Sequence, residues 1–336
     1  MAKKRILMLL SGYPTLSQTY KENEIKYLLP DFELLIGSIT PPASPYQNHQ
    51  PHVRISKAEQ IVSLAKGFRP DFIHGHYLHV TDKLHFAAEH AGVPFTARLH
   101  SFDVLGRSDD YLRGYARFLN ADSCAGVLCF PYLIPRLVEC GVNKEKLHAD
   151  WPVVDYDRFY DRSPNGNRIL NTGACIKKKG LESFVEIASL VKDRKFIYFP
   201  IGYQTEQFKK YNDEHGGVVD VRKQIEPYAM APVYKRCEWL VYTASKKIPR
   251  VGWPMAIAEA QAAGAGVLIQ RIRPDIEEYV GGAGFVFDTV DEAAEILKQP
   301  YPDEMRELGF QHARKSDIRR NISKLHKLWN WKRAEQ

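Results

Sequence analysis

At 336 residues, with 44% hydrophobic and 26% charged side chains, the chain is long for one domain and comfortable for two soluble ones. Its five cysteines (Cys124, Cys129, Cys140, Cys175 and Cys237) are scattered and form no CxxC pair, which argues against a zinc ribbon or disulfide framework and suits a reducing, cytoplasmic setting. A formal charge of +7 and a pI of about 9.0 fit an anionic substrate, an anionic membrane surface or nucleic acid without choosing among them.

The opening MAKKRILMLLSGYP has a basic start, but its apolar run, Ile6 to Leu10, is too short for the core of a signal peptide. It reads as a buried strand ended by Ser11-Gly12-Tyr13-Pro14. No stretch approaches the ~18 apolar residues that cross a bilayer. A helix follows from about Ser17 to Leu29, then a strand Phe32–Ile36 and a proline-rich connection. Residues 57–67 read as helix, Pro70 to His76 as a strand running into a turn, and Thr81–Ala91 as helix. The strand Val93–Leu99 ends at His100-Ser101-Phe102-Asp103. A helix at Tyr111–Phe118 and a strand at Gly126–Phe130 continue the alternation, and Gly141 stops the helix begun near Leu133.

Polar turn residues from Tyr156 to Arg168 break the pattern, and the alternation then restarts. Strands are expected at Ile169–Gly173, Phe196–Phe199, Val218–Val221, Trp239–Tyr242, Val267–Ile269 and Phe285–Phe287. Helices are expected from Lys179-Gly180 to Val191 and over Ala231–Cys237, 252–264, Asp291–Leu297 and Asp303–Arg314. Strands alternating with helices imply parallel sheets covered on both faces, with function at the carboxyl ends of the strands. Gly12, His76 and His100 all fall at such ends. The expected domains are 1–160, 166–313 and a basic helix, 314–336. That helix carries Ile318, Ile322, Leu325 and Trp329 on one stripe and a cationic face able to meet a membrane surface.

Gly252 to Gly264, GWPMAIAEAQAAG, is the most informative stretch. Proline is at home at a helix start, and the alanines make a thin helix that can lie close to a sheet. The free amides and positive dipole end over Gly252, Trp253, Pro254, Met255 and Ala256 suit a phosphate. Glu259, the one charge on the helix, can accept two hydrogen bonds from a ribose diol. Thr172 to Gly180, with three lysines before the glycine, places ammonium groups beside a second helix start. GxxxxGK[ST] is absent, so ATP hydrolysis is not expected. His100 can bind a sugar hydroxyl or act as acid/base. His74, His76 and His79 form HxHxxH. With alternate strand residues taken to face apart and no acid nearby, no metal site is expected.

The pattern resembles the retaining glycosyltransferases of family 4 (glycosyl transferases group 1). The resemblance is carried by SGYPTLSQTYKENEI, FIHGHYLH, ARLHSFDV, GVNKEKLHADWPVVDYDRF, ILNTGACIKKKGLESF, GWPMAIAEAQAAGAGVLI and IEEYVGGAGFVF. It implies an α/β GT-B fold, two Rossmann-like doubly wound domains facing across a cleft, with the C-terminal helix returning to the first domain. It implies transfer, without metal or cofactor and with retention of configuration, from a UDP- or GDP-sugar to a glycan or lipid-linked acceptor, as in polysaccharide biosynthesis. Nucleic acid is not an expected partner. By position, Glu259 would bind the donor ribose and Lys179 the diphosphate. His100 would meet the transferred sugar, and the Gly12 turn would approach the phosphates from the other side. Two positions depart from the family: Val251 stands where a glutamate is usual, and Ala174 where an arginine is common. Lys177, Lys178 and Arg250 are the available substitutes for the lost charge. Sugar-nucleotide epimerisation and a non-catalytic binding relative are the alternatives.

Overall fold

A computed structural model describes residues 3–248 and 250–330. The chain divides into two compact units, one made of residues up to 153 together with those from 318 onward, the other of residues 154–317.

The first unit is built on seven strands: β1 (Lys4–Leu10), β2 (Phe32–Ser38), β3 (Val53–Arg54), β4 (Phe72–His76), β5 (Phe95–Arg98), β6 (Cys124–Cys129) and β7 (Leu147–Ala149). All pair in parallel, in the order β3-β2-β1-β4-β5-β6-β7. Ile6 to Leu10 are fully buried, as an unbroken apolar run must be when helices cover both faces of a sheet. The order reverses direction between β1 and β4, so the crevice of this unit opens beside Ser11-Gly12 and Tyr77.

The second unit repeats the plan with six parallel strands: β8 (Arg168–Ala174), β9 (Phe196–Ile201), β10 (Val219–Val221), β11 (Cys237–Tyr242), β12 (Gly266–Gln270) and β13 (Phe285–Phe287). Their order is β10-β9-β8-β11-β12-β13. Its switch point lies between β8 and β11, beside the lysine turn Lys177–Lys179 and the loop after Tyr242.

The helices Thr205–Glu214 and Asp275–Val280 are additions to the sequence reading, and three further details differ from it. First, β3, β7 and the five-residue helix Ser101–Leu105 are too short to leave a periodic signal. Second, the helix expected over 252–264 spans only Met255–Ala262. Pro254 is extended (φ −75°, ψ 133°) and Gly264 takes φ +74°, so the glycine-flanked ends are turns. Third, the chain passes from one unit to the other after Val153, ahead of the polar Tyr156–Arg168 segment, and returns at Ile318 rather than 314. The short helix Tyr156–Phe159 explains the first shift, because its Tyr156 and Phe159 are buried within the second unit.

The returning helix, Ile318–Leu328, explains the other shift. Ile318, Ile322, Leu325 and Trp329 are buried with Phe32 and Phe72 in the first unit's core. At about 1.5–3 kcal/mol for each large side chain buried, that stripe decides where the helix sits. Residues 331–336 of the expected basic segment, including Arg333, lie outside the described residues.

Candidate active site

In the second unit, the lysine turn is a single 3₁₀ turn ended by Gly180 at φ +53°, after which the helix Leu181–Leu190 begins. A side chain at Gly180 would come within 3.0 Å of the Ala244 carbonyl carbon and the Ser245 amide nitrogen. The Ser245 amide donates to the Lys178 carbonyl at 3.0 Å, locking the turn to the loop after β11. Lys179 lies over the Tyr242 ring at 4.1 Å. Burial, aided by Lys178, lowers its pKa to about 7. Lys178 is lowered too, by burial and then by Arg250.

The segment before the helix Met255–Ala262 is fixed by side chains from further along. The Trp253 indole donates to Asp275 at 2.8 Å and stacks on Tyr279 at 4.9 Å, while the Tyr279 hydroxyl donates to the Pro254 carbonyl at 2.6 Å. Arg273 grips Asp275 and the Val251 carbonyl. Trp253 is therefore buried and committed, and only backbone is left for a ligand here. Gly252, Pro254, Met255 and Ala256 are half-buried. Glu259 accepts the Tyr234 hydroxyl at 2.7 Å on one carboxylate oxygen. Burial raises its pKa to about 7, against the smaller downward pulls of Tyr234 and Arg158. Among the described residues nothing donates to the second oxygen. Such a carboxylate, about one turn behind a helix start, can take a diol.

The first unit holds a buried polar chain. Glu24, on the helix Thr19–Leu28, accepts Arg98 Nε at 2.8 Å and His76 Nε2 at 3.1 Å, and His74 Nε2 lies 2.7 Å from its Oε1. Arg98 also pairs with Asp150, whose other oxygen receives Lys324 at 2.7 Å. Burial pushes the Glu24 carboxyl up, but Arg98, His74 and His76 together hold it well below the carboxylate range. His76 Nδ1 meets His100 Nε2 at 3.1 Å. Burial lowers the His76 pKa to about 4 and that of His100 well below normal, so both rings are neutral at pH 7. The tautomers follow. His76 donates from Nε2 to the carboxylate, so its Nδ1 accepts from His100 Nε2–H. His100 Nδ1 then accepts the amide of Asp103 in the N-cap of the helix Ser101–Leu105. Both ring nitrogens of His100 are engaged, and its ring packs against Tyr20 at 4.3 Å and Tyr77 at 4.7 Å.

The expectation that His74 and His76 face apart fails. Residues i and i+2 of a strand line the same face, and both rings point to Glu24, an acid from a different element. These three side chains offer ligand atoms within 4.8 Å of one another. The Arg98 guanidinium on the same carboxylate already supplies the positive charge that a metal ion would bring.

Comparison with known folds follows from the two sheets. With UDP-glucose bound, Anabaena HepE superposes with a TM-score of 0.77 at 15% identity, over 97% of this chain and 99% of that one. Sucrose-phosphate synthase from Thermosynechococcus elongatus gives 0.75 at 12%, and a glycosyltransferase from Rickettsia africae 0.73 at 13%, each over 98% of both chains. The fold is GT-B. Residues 166–300 match the family described as Glycosyl transferases group 1. The chain has no match among curated protein sequences.

Within this GT-B frame Lys179, the 252–256 segment and Glu259 all belong to the second unit and to the matched residues; Lys179 follows the carboxyl end of β8, and the 252–256 segment follows that of the neighbouring β11. Gly12 and His100 lie at strand ends of the first unit. Sequence reasoning missed Tyr234, which sits 25 residues from its partner Glu259, and the Trp253–Asp275–Arg273 clasp. It also missed Glu24, whose place in an unremarkable helix gives no local signal. Val251 is buried, its carbonyl held by Arg273. A cleft lined by Arg168, Phe199, Arg222, Lys223 and Arg236 contains none of the expected site residues.

Proposed function

We propose that this protein is a glycosyltransferase that takes its sugar from a nucleotide-diphosphate donor, UDP- or GDP-linked, held by the second unit. The first unit binds the accepting hydroxyl of a glycan or glycolipid. The observation that carries this reading is Glu259, a half-buried carboxylate steadied by Tyr234 on one oxygen and, among the described residues, open on the other, behind a helix start pinned at Trp253. That HepE was solved with UDP-glucose supports a UDP-sugar.

Charge development sets the chemistry. As the glycosidic bond to the diphosphate breaks, negative charge grows on the leaving phosphate. Lys179 and the amides ahead of Met255–Ala262 stabilise it, while Glu259 fixes the ribose. Attack from the face that the diphosphate leaves retains configuration, and the acceptor proton passes to a phosphate oxygen. In this scheme the cations do what a bound metal does elsewhere, and His100, with both nitrogens occupied, positions the sugar through its ring and neighbouring backbone. Ala174 and Val251 leave Lys178 and Arg250 to make up charge and leave fewer contacts to the donor sugar.

A thermal-shift screen of UDP-, GDP-, ADP- and TDP-sugars tests the reading, since a ligand of the native state raises Tm. One class should stabilise the wild type and not Glu259→Ala. No shift with any donor, or an equal shift in the variant, would refute it. Val251 favours a second reading, an epimerase or silent binder. Product analysis decides: a donor epimer formed without acceptor, or binding without turnover, displaces transfer.

A further inference from the structure

The second unit leaves part of one sheet face open. Phe196 and Tyr198 of β9 pack in one core with Phe184 and Ile187 of the helix Leu181–Leu190, so Ile197 and Phe199, one step along the strand, face the other way. A parallel sheet is ordinarily covered on both sides. Here the second side opens into a cleft of about 680 Å³, within the range of small-molecule sites. Its floor is apolar. Ile197 is buried, Phe199 and Ile225 are half-buried, and Val233 of the short helix Ala231–Lys235 closes one side. Among the described residues, the Phe199 ring stacks on no other ring.

The rim is cationic. Arg168, Arg222, Lys223 and Arg236 line it with one acid, Asp220, which Arg222 holds at 2.5 Å. Among the described residues, the side chains of Arg168, Lys223 and Arg236 make no hydrogen bond and no ion pair. Burial pushes the Cys237 thiol up to about 12 while Arg168 and Arg236 both pull it down, so these two cations share one neighbourhood. Soluble surfaces usually intersperse charges of both signs. Three unanswered cations around an apolar hollow instead favour an anion that brings an apolar body with it.

The cleft is separate from the candidate donor site. Arg168 begins β8 and Arg236 stands just before β11, at the amino ends of the two strands. Lys179 and the 252–256 segment follow the carboxyl ends of the same strands.

We propose that this cleft binds a small phosphate ester, with the phosphate gripped by Arg168 and Arg236 and the apolar or aromatic body laid against Ile197, Phe199 and Val233. Two guanidinium forks match the several oxygens of a phosphate dianion better than the two of a carboxylate. Lys223, on the opposite rim, adds to the attraction. The inference goes beyond the glycosyltransferase reading and does not rest on it, because the ligand is a second small molecule held away from the donor site.

The test is methyl NMR on the full chain with labelled isoleucine. Ile197 and Ile225 are the reporters, assigned by Ile197→Val and Ile225→Val. Phenyl phosphate, hexyl phosphate, inorganic phosphate and phenol are the probes. Either ester should shift both signals saturably at millimolar concentration, with inorganic phosphate and phenol weaker by about ten-fold or more. Arg168→Gln and Arg236→Gln should each lower ester affinity about ten-fold. Phe199→Leu should weaken phenyl phosphate more than hexyl phosphate. UDP should bind together with the ester, and Glu259→Ala should leave ester affinity unchanged. The absence of a saturable shift with both esters overturns the proposal, as does unchanged affinity in the Arg168→Gln, Arg236→Gln double variant. Inorganic phosphate binding as tightly as the esters, or displacement of the ester by UDP, overturns it too. Should Arg168→Gln not fold, Arg236→Gln alone decides, since Arg236 is exposed. A protein that binds the esters but no sugar nucleotide would refute the donor reading and leave this site standing.

Discussion

Two clusters of charge, one in each unit, are balanced in opposite ways. In the first, Glu24 and Asp150 face Arg98 and Lys324, two acids against two bases in one continuous line of contacts. In the second, Lys179 lies on an aromatic ring and, among the described residues, Glu259 accepts one hydrogen bond, from a tyrosine hydroxyl, so each approaches neutrality by a shifted pKa. Pairing makes a rigid frame that needs nothing further. Leaving a charge unpaired makes a place that gains when a ligand brings the opposite sign.

Matched substitutions would break this comparison most sharply. Arg98→Met strands two buried carboxylates and should cost about 3–5 kcal/mol in urea denaturation, because a broken buried pair leaves uncompensated charge. Lys179→Met removes an unpaired charge from a tight site, and the apoprotein should lose no stability at pH 7. Equal losses in the two variants would show that the lysine turn is structural after all. Next in size, Glu259→Gln should weaken donor binding by about 10–100-fold at pH 7.5 in calorimetry, the value of hydrogen bonds to a charged acceptor.

The pH dependence sharpens the same contrast. Glu259 grips a diol best when ionised, above about 7, and Lys179 grips phosphate when protonated, below about 7. Donor affinity should therefore pass through a narrow maximum near neutrality. For the apoprotein the sign is fixed by proton counts. Between about 7 and the ordinary lysine value of 10.5 the unfolded chain keeps the Lys179 proton that the folded one has lost, so this lysine's contribution to stability rises with pH. Lys179→Met should flatten that rise in denaturation curves taken across the window. The smallest effect is expected for Tyr234→Phe. Without the hydroxyl, Glu259 becomes harder to ionise, so the acid limb moves to higher pH and affinity at pH 7 drops a few-fold.

How much of this was legible beforehand depends on distance along the chain. The parallel architecture was readable because most of the longer strands and helices announce themselves within ten residues. Gly12 and His100 could be assigned to strand ends, Lys179 to a turn before a helix and Glu259 to a helix, because these are local features. The side chains that complete each site come from elsewhere: Tyr234 for Glu259, Asp275 for Trp253, Glu24 and Arg98 for the histidines. Lys21 sits among TYKENE, where a lysine ordinarily reads as solvated, yet it is fully buried and donates to the Gly12 carbonyl. The HxHxxH motif failed for a different reason, an error in strand periodicity rather than missing information.

The helix Ile318–Leu328 also bears on how the protein comes into being. The first unit borrows Ile318, Ile322, Leu325 and Trp329 from beyond the whole of the second, so during synthesis its amino-terminal strands emerge with one flank bare. The nascent chain must shelter that flank, alone or with a chaperone, until the ribosome has passed Trp329. A release factor acting early, before Ile318, would yield a complete second unit and a half-made first one prone to aggregate.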